Sequence, residues 1–344
     1  MREVTRPTTA KCTLPMYIAF LISEPKSPTC TRLAEVTGIS HHSVNRFLHR
    51  EQYQPKDMFD EVTKGISLVG GTLSIDDTVL DKPYSFAMEL VGHFWSGKHH
   101  KPVKGINLIT LYYTMPTGMQ FPVNYRIYDK SENKTKNDYF LEMLSEVLLW
   151  GIEPSFVTGD SWYSCVKNLK AVKNHQLSFM FAIESNRLVS LEKGSWQQIQ
   201  TVKIPKDGLI VWLKEFGEVR VFRKHLKDQV RHYIVYSPNN KQVAHDDFSQ
   251  IHDQHWQIEQ YHRAIKQICH IEHFQVRSEQ PIRNHIFSAI FAFCYLQKRV
   301  LEHAITTIYQ HYRELFKEVT ASFVDQFIEG KEHLLPKIKS RINA

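Results

Sequence analysis

Long apolar runs are missing from this chain of 344 residues. No stretch approaches the ~18 consecutive apolar residues that a membrane span needs, so no membrane partner is expected. Cysteine is scarce. The five residues at positions 12, 30, 165, 269 and 294 are scattered and form no CxxC pair. That excludes a disulfide framework and fits a reducing cytosol. Cys269, His270 and His273 have zinc-like proximity, but no second ligand pair accompanies them. The opening Met-Arg-Glu-Val-Thr-Arg-Pro has no apolar signal core, and a cytoplasmic location is expected. Internal repeats and low-complexity tracts are absent.

What is present is a core and an excess of positive charge. Hydrophobic residues make up 42%, enough for one large domain with an insertion or for two to three smaller ones. Lysine and arginine number 43 against 36 acids, a formal charge of +7, and the pI is about 9.0. That balance modestly favours a polyanionic partner, and 19 histidines can add charge below neutral pH.

The chain is best organised around His252 to Lys266, which contains no Gly and no Pro. Trp256, Ile258, Ile265 and Ile268 fit helical spacing. Steps of three, four and seven place His252, His255, Glu259 and Lys266 along one side, with Arg263 close by. A single carboxylate among cationic groups suits a metal ligand flanked by phosphate-gripping bases. The alternative is a surface helix with a Glu259–Arg263 pair.

Ahead of this helix, residues up to about 57 read as helical. Leu33, Ala34 and Val36 mark a short helix and Gly38 can end it. Ser40 can cap the next, whose core face is Val44, Phe47 and Leu48. This is a helix-turn-helix pattern over 31–50, or else a plain helical hairpin. Its second helix would offer His41, His42, Asn45, Arg46 and His49 to a DNA groove.

From Gly70-Gly71 onward the period changes. Thr72 to Leu80 reads as a strand interrupted by Asp76 and Asp77, and acids in a strand interior are costly unless a cation or donors meet them. Only one of the two can face a given site; the alternative is a strand end with a turn. Lys98, His99, His100, Lys101 and Lys104 form a cation-rich loop, either solvated or touching phosphates. Ile106 to Thr114 and Met119 to Tyr128 look like a strand pair turned at Pro116-Thr-Gly118. Asn137 to Trp150 is an amphipathic helix, Ser155 onward a short strand ending at Asp160, Tyr163 to Asn174 a helix, and Ser178 to Ile183 a strand.

This order predicts an α/β protein, with the mixed sheet of an RNase H-like core and ligand-facing groups at strand C-termini. The stretches Trp196–Ile204, Leu209–Phe216, Glu218–Phe222 and Val230–Tyr236 predict a β-rich insertion. Apolar helices over Asn284–Leu301 and Tyr309–Phe327 follow, and Lys337 to Arg341 form a basic tail. The expected boundaries are 1–62 for an all-α DNA-binding domain, 63–190 and 246–300 for the core, 191–245 for the insertion and 301–344 for a helical end.

Asp76, Asp160 and Glu259 are the ingredients for a pair of Mg²⁺ ions, which favour a few carboxylates plus water and phosphate oxygens. Without metal three such acids repel one another. His252, His255, Arg263 and Lys266 would hold the phosphate backbone.

At these residues the chain resembles the DDE transposases of bacterial cut-and-paste insertion sequences, in the group with a β-stranded insertion before the glutamate. The likeness runs from about Thr72 to Gln297. The group's Asp-any-Thr pattern matches Asp76-Asp77-Thr78 and picks Asp76; Asp160 matches the second Asp; Glu259 and Lys266 match the glutamate helix. Its Tyr and Arg positions fall on His252 and His255, a departure, since histidine donates to phosphate less reliably near pH 7. The resemblance implies a Mg²⁺-dependent enzyme, with Mn²⁺ as substitute, that acts as a homodimer on double-stranded DNA. It would pair terminal inverted repeats, cleave them and join the 3′ ends to target DNA, associated with the nucleoid of a bacterial cell. It also implies an aromatic in the insertion that stacks a flipped base, for which Trp196 and Trp212 are candidates unless they pack the core. Trp162 reads as packing. Two other readings remain: an RNase H-fold nuclease without strand transfer, and a catalytically impaired DNA-binding remnant of an element.

Overall fold

The computed structural model describes residues 11–26, 28–97, 99–226, 229–238, 243–302 and 307–328. Two compact units are present, Met1–Cys294 and Tyr295–Ala344.

Four helices open the first unit: α1 (Leu14–Ser23), α2 (Cys30–Thr37), α3 (His41–Arg50) and α4 (Pro55–Val62). The α2–α3 pair occupies the stretch read as a helix-turn-helix or a plain helical hairpin. Gly38 ends α2 at φ +72°, a conformation open to glycine at no steric cost. Ser40 caps α3 by accepting from the Ser43 N–H. Leu33, Val44, Phe47 and Leu48 close the space between the two helices.

The mixed sheet follows. Its first strands are β1 (Thr72–Asp81), β2 (Gly92–Ser96), β3 (Lys101–Thr114) and β4 (Gln120–Ile127). Helix α5 (Lys136–Leu149), β5 (Phe156–Gly159), α6 (Val166–Asn174) and β6 (Ser178–Ile183) come next. β3 is antiparallel to β1 and β4 to β3, while β5 runs parallel to β1 and β6 parallel to β5. The resulting order β4-β3-β1-β5-β6 is that of an RNase H-like core. Gly159 lets β5 sit tightly between its neighbours, since a Cβ there would meet Ile75 and Phe181 side-chain atoms at 2.7 Å.

The sheet does not stop at β6. Strands β7 (Leu188–Ser190), β8 (Trp196–Gln198), β9 (Leu209–Leu213), β10 (Gly217–Leu226) and β11 (Gln229–Tyr236) extend it through β11–β6 pairing. The β-rich insertion is therefore an extension of one eleven-stranded sheet. Its strand-like stretch from Trp196 shortens to β8, because Ile199–Thr201 turn into a 3₁₀ helix. The cation-rich loop is also corrected: Lys101 and Lys104 lie on β3, paired with β2. Lys104 is tied down by donating to the Ser85 carbonyl, and His99 pairs with Asp81 at 3.0 Å. Lys98 and the basic tail lie outside the described residues.

Helix α7 (His245–Gln267) covers one face of the sheet with Ile258, Tyr261 and Ile265 buried; α5 and α6 cover the other. Helix α8 (Glu279–Glu302) then receives the N-terminal helices. Asn284 donates to the carbonyls of Leu48 and Glu51 at 2.6 Å each. Tyr17 meets His285 at 2.8 Å, and Tyr53 stacks on Phe287 at 4.5 Å. Helices α1 and α3 and the segment after α3 are thus docked on α8 within the first unit. In the second unit, the apolar stretch Tyr309–Phe327 divides into α9 (Ile308–Leu315) and α10 (Lys317–Ile328).

Burial pushes His285 down to about 3, so it is neutral in the fold and titrates near 6.5 once unfolded. The folded chain then binds fewer protons between those values, and stability falls as pH drops through that window. Urea midpoints are expected to be lower at pH 5 than at pH 7. The difference should shrink in His285→Gln; an unchanged difference would remove this histidine as a cause.

Candidate functional site

Alternation along β1 sorts its side chains between two faces. Leu73 and Ile75 enter the core beneath α5 and α6. Thr72, Ser74 and Asp76 turn toward α7. Thr72 bonds Gln254. Ser74 meets Thr158 at 2.8 Å, and Thr158 meets His255 Nδ1 at 3.1 Å. A polar layer therefore lies between sheet and helix and leads toward Asp76.

Asp76 and Asp77 occupy opposite situations. Asp77 is satisfied: Asn107 Nδ2 at 2.6 Å, Lys136 Nζ at 2.7 Å and Tyr163 Oη at 3.1 Å all donate to it. Asp76 accepts the Asp77 N–H at 2.8 Å, and its other oxygen lies 3.6 Å from His262 Nδ1. His262 is held neutral by burial, pushed down to about 3. Burial first, then the charges of Asp160, Asp77 and Glu259, push Asp76 well above the usual carboxylate range.

Asp160 follows Gly159 at the C-terminal end of β5. It caps the 3₁₀ turn of Ser161–Tyr163 by accepting from the Trp162 and Tyr163 N–H groups at 2.9 and 3.4 Å. Burial and the neighbouring Asp77 raise it to about 6, against the pull of those N–H groups and Lys136. Glu259, on α7, is also raised by burial, with Arg231 and Arg263 pulling the other way.

Asp76, Asp160 and Glu259 line one cleft of about 790 Å³. Lys130, Lys136 and Arg231 bring positive charge to its wall. His252 and His255 line it too, with their rings already engaged. Lys224 Nζ lies 2.8 Å from His252 Nδ1 and Tyr233 Oη 3.2 Å from Nε2. An ammonium only donates, so Nδ1 accepts, Nε2–H serves the tyrosine, and the ring is neutral. Burial likewise pushes His255 down to about 4.

The remaining expected contacts lie elsewhere. Lys266 donates to the Val79 carbonyl at 2.6 Å and pairs with Glu272 at 3.0 Å, away from the cleft lining. Arg263 is exposed just outside it. His41 and Asn45 line a separate groove of about 620 Å³ against residues 274–278. His42 and Arg46 are exposed on α3. In the zinc-like trio Cys269 is buried, and His270 and His273 bond each other at 2.8 Å.

Trp162, expected to pack, is instead 61% exposed and lines the cleft, as do Trp95 at 64% and Trp256 at 42%. Trp196 and Trp212 are not in its lining; Lys193 covers the Trp212 ring at 5.3 Å. Arg231 and Trp95 carry no sequence signal, because each sits in an ordinary strand.

Hard oxygen donors that repel one another suit a divalent cation such as Mg²⁺. Among the described residues no three His, Cys, Asp or Glu side chains form a closed metal cage. The donor chemistry fits such an ion, with the carboxylates standing around the cleft rather than clenched.

Residues 70–296, about two thirds of the chain, match the family model described as transposase DDE domain. The chain belongs to the transposase DDE-domain family. Asp76, Asp160 and Glu259 of the cleft all fall inside the matched span. No curated protein matches the sequence. Among solved structures, the Drosophila P element transposase strand transfer complex is similar at 9% identity and a TM-score of 0.30. That match covers 55% of this chain and 48% of that one, so the chain spans about half the length of the fly protein.

The two neighbouring acids should separate by stability. Asp76 has a raised folded pKa, so its charge opposes folding at pH 7, and Asp76→Asn should leave the metal-free melting temperature equal or higher. Asp77→Ala strands the partly buried Lys136 and should cost about 2 kcal/mol. Thermal denaturation of the metal-free protein checks both, and equal losses would contradict the assignment.

Proposed function

We propose that the protein is a metal-dependent DNA transposase that cleaves at transposon ends and joins the 3′-hydroxyl to target DNA. The observation that carries this reading is the shared cleft of Asp76, Asp160 and Glu259 within a DDE domain. These residues would hold Mg²⁺, or Mn²⁺ in its place. When bound, the ions supply an activated water or 3′-hydroxyl and stabilise the leaving oxygen. The chain's own residues do the rest. Lys136 and Asn107 fix Asp77 and with it the course of β1 beside Asp76. Gly159 and the capping N–H groups fix Asp160 at the strand end. The exposed indoles of Trp95, Trp162 and Trp256 offer flat apolar surfaces to nucleotides near the acids. Duplex DNA is the partner, read by His41, His42, Asn45 and Arg46 of α3, with a homodimer pairing two ends.

A second reading is a DNA-binding remnant without catalysis. It draws on His252 and His255, which are neutral and engaged, and on Lys266, whose ammonium is tied to Val79 and Glu272.

Incubating the protein with its flanking inverted repeats, target DNA and Mg²⁺ separates the outcomes. Joined product supports the transposase, cleavage alone a nuclease, and binding alone the remnant. Asp160→Asn should abolish cleavage, by at least about a hundredfold, and leave DNA binding nearly intact. Cleavage retained by that variant would remove Asp160 from the chemistry.

A further inference from the structure

Cationic groups around the cleft are mostly committed. Lys136 is paired with Asp77 and Lys224 donates to His252. His255 spends one ring nitrogen on Thr158 and His252 spends both on its neighbours. Arg231 differs. It lies on β11 directly across from Lys224 on β10, is exposed, and lines the cleft. Its charge is the largest one acting on Glu259, and it also pulls on the Tyr233 hydroxyl. A guanidinium carries five donors in a planar fork, and the exposure of this one leaves the fork open to a ligand in the cleft.

We propose that Arg231 is the phosphate-gripping cation of the cleft, contributed by β11 in the extension of the sheet rather than by α7. A planar fork beside Glu259 suits bidentate contact with a phosphodiester, which a neutral imidazole cannot provide. Lys224 and Tyr233 brace the arrangement through His252. The strands beyond β6 thereby contribute to the acidic centre, and His252 and His255 of α7 act as its supports. This assignment rests on the DNA-processing reading above.

The test compares wild type, Arg231→Ala, Arg231→Gln and Arg231→Lys in the full chain, with Lys64→Ala, in the turn after α4 and outside the cleft lining, as a control. Binding of a fluorescent duplex is titrated at several salt concentrations without metal, and circular dichroism checks folding. Arg231→Ala and Arg231→Gln should each weaken binding on the order of tenfold and flatten the salt slope by about 0.9, with Arg231→Lys retaining part of both. Lys64→Ala should follow wild type. Arg231→Ala and Arg231→Gln that fold and bind with unchanged affinity and slope overturn the proposal. Cleavage of flanking ends in Mg²⁺ is measured alongside. Wild-type cleavage with unchanged Arg231 variants would sink this assignment alone. Absence of wild-type cleavage would sink the transposase reading, while the binding comparison still decides the arginine.

Discussion

Like charges held close together in a recessed cleft govern this structure. Asp76, Asp77 and Asp160 are brought near one another by the parallel pairing of β1 and β5, and α7 adds Glu259 from above. Three of the four are pushed up by burial and by their neighbours. A fold gains nothing in stability from such an arrangement. Asp77 receives three side-chain donors, one of them the Lys136 ammonium, while Asp76 and Asp160 accept only backbone N–H groups. The other three oppose folding and keep oxygen lone pairs available, which is the condition for taking a cation from solution.

Much of the surrounding structure serves to hold that arrangement. The ladder of Thr72–Gln254, Ser74–Thr158 and Thr158–His255 fixes how α7 lies on the sheet. Lys266 anchors the same helix to the β1 backbone. The N-terminal helices dock on α8 through Tyr17, Asn284 and Tyr53. The α3 face and the cleft therefore belong to one compact unit. The two surfaces therefore keep a defined relation to one another.

The acids were legible because each breaks a local rule: two carboxylates inside a strand, one at a strand end, one alone among bases on a helix. The helix pair α2–α3 was legible through Gly38 and Ser40. Other features depend on pairing that spacing cannot reveal. Alternation marked β9 to β11 as strands but not that β11 would bond β6. The β2–β3 hairpin was hidden because Lys101 and Lys104 look like loop residues until Gly92–Ser96 pairs with them. Lys266 faces the expected side of its helix, yet Glu272, six residues on and past the helix end, claims its charge. Arg231 and Trp162 became functional candidates only when the cleft placed them beside Glu259 and Asp160.

The central claim is that these three carboxylates act together on a divalent ion. Mn²⁺ binding to the full-length protein, followed by the loss of the free-ion electron paramagnetic resonance signal, tests it most directly. Saturable binding by the wild type, weakened in each of Asp76→Asn, Asp160→Asn and Glu259→Gln but not in Asp81→Asn, is the result the account predicts. Binding that is indifferent to all three substitutions would contradict it.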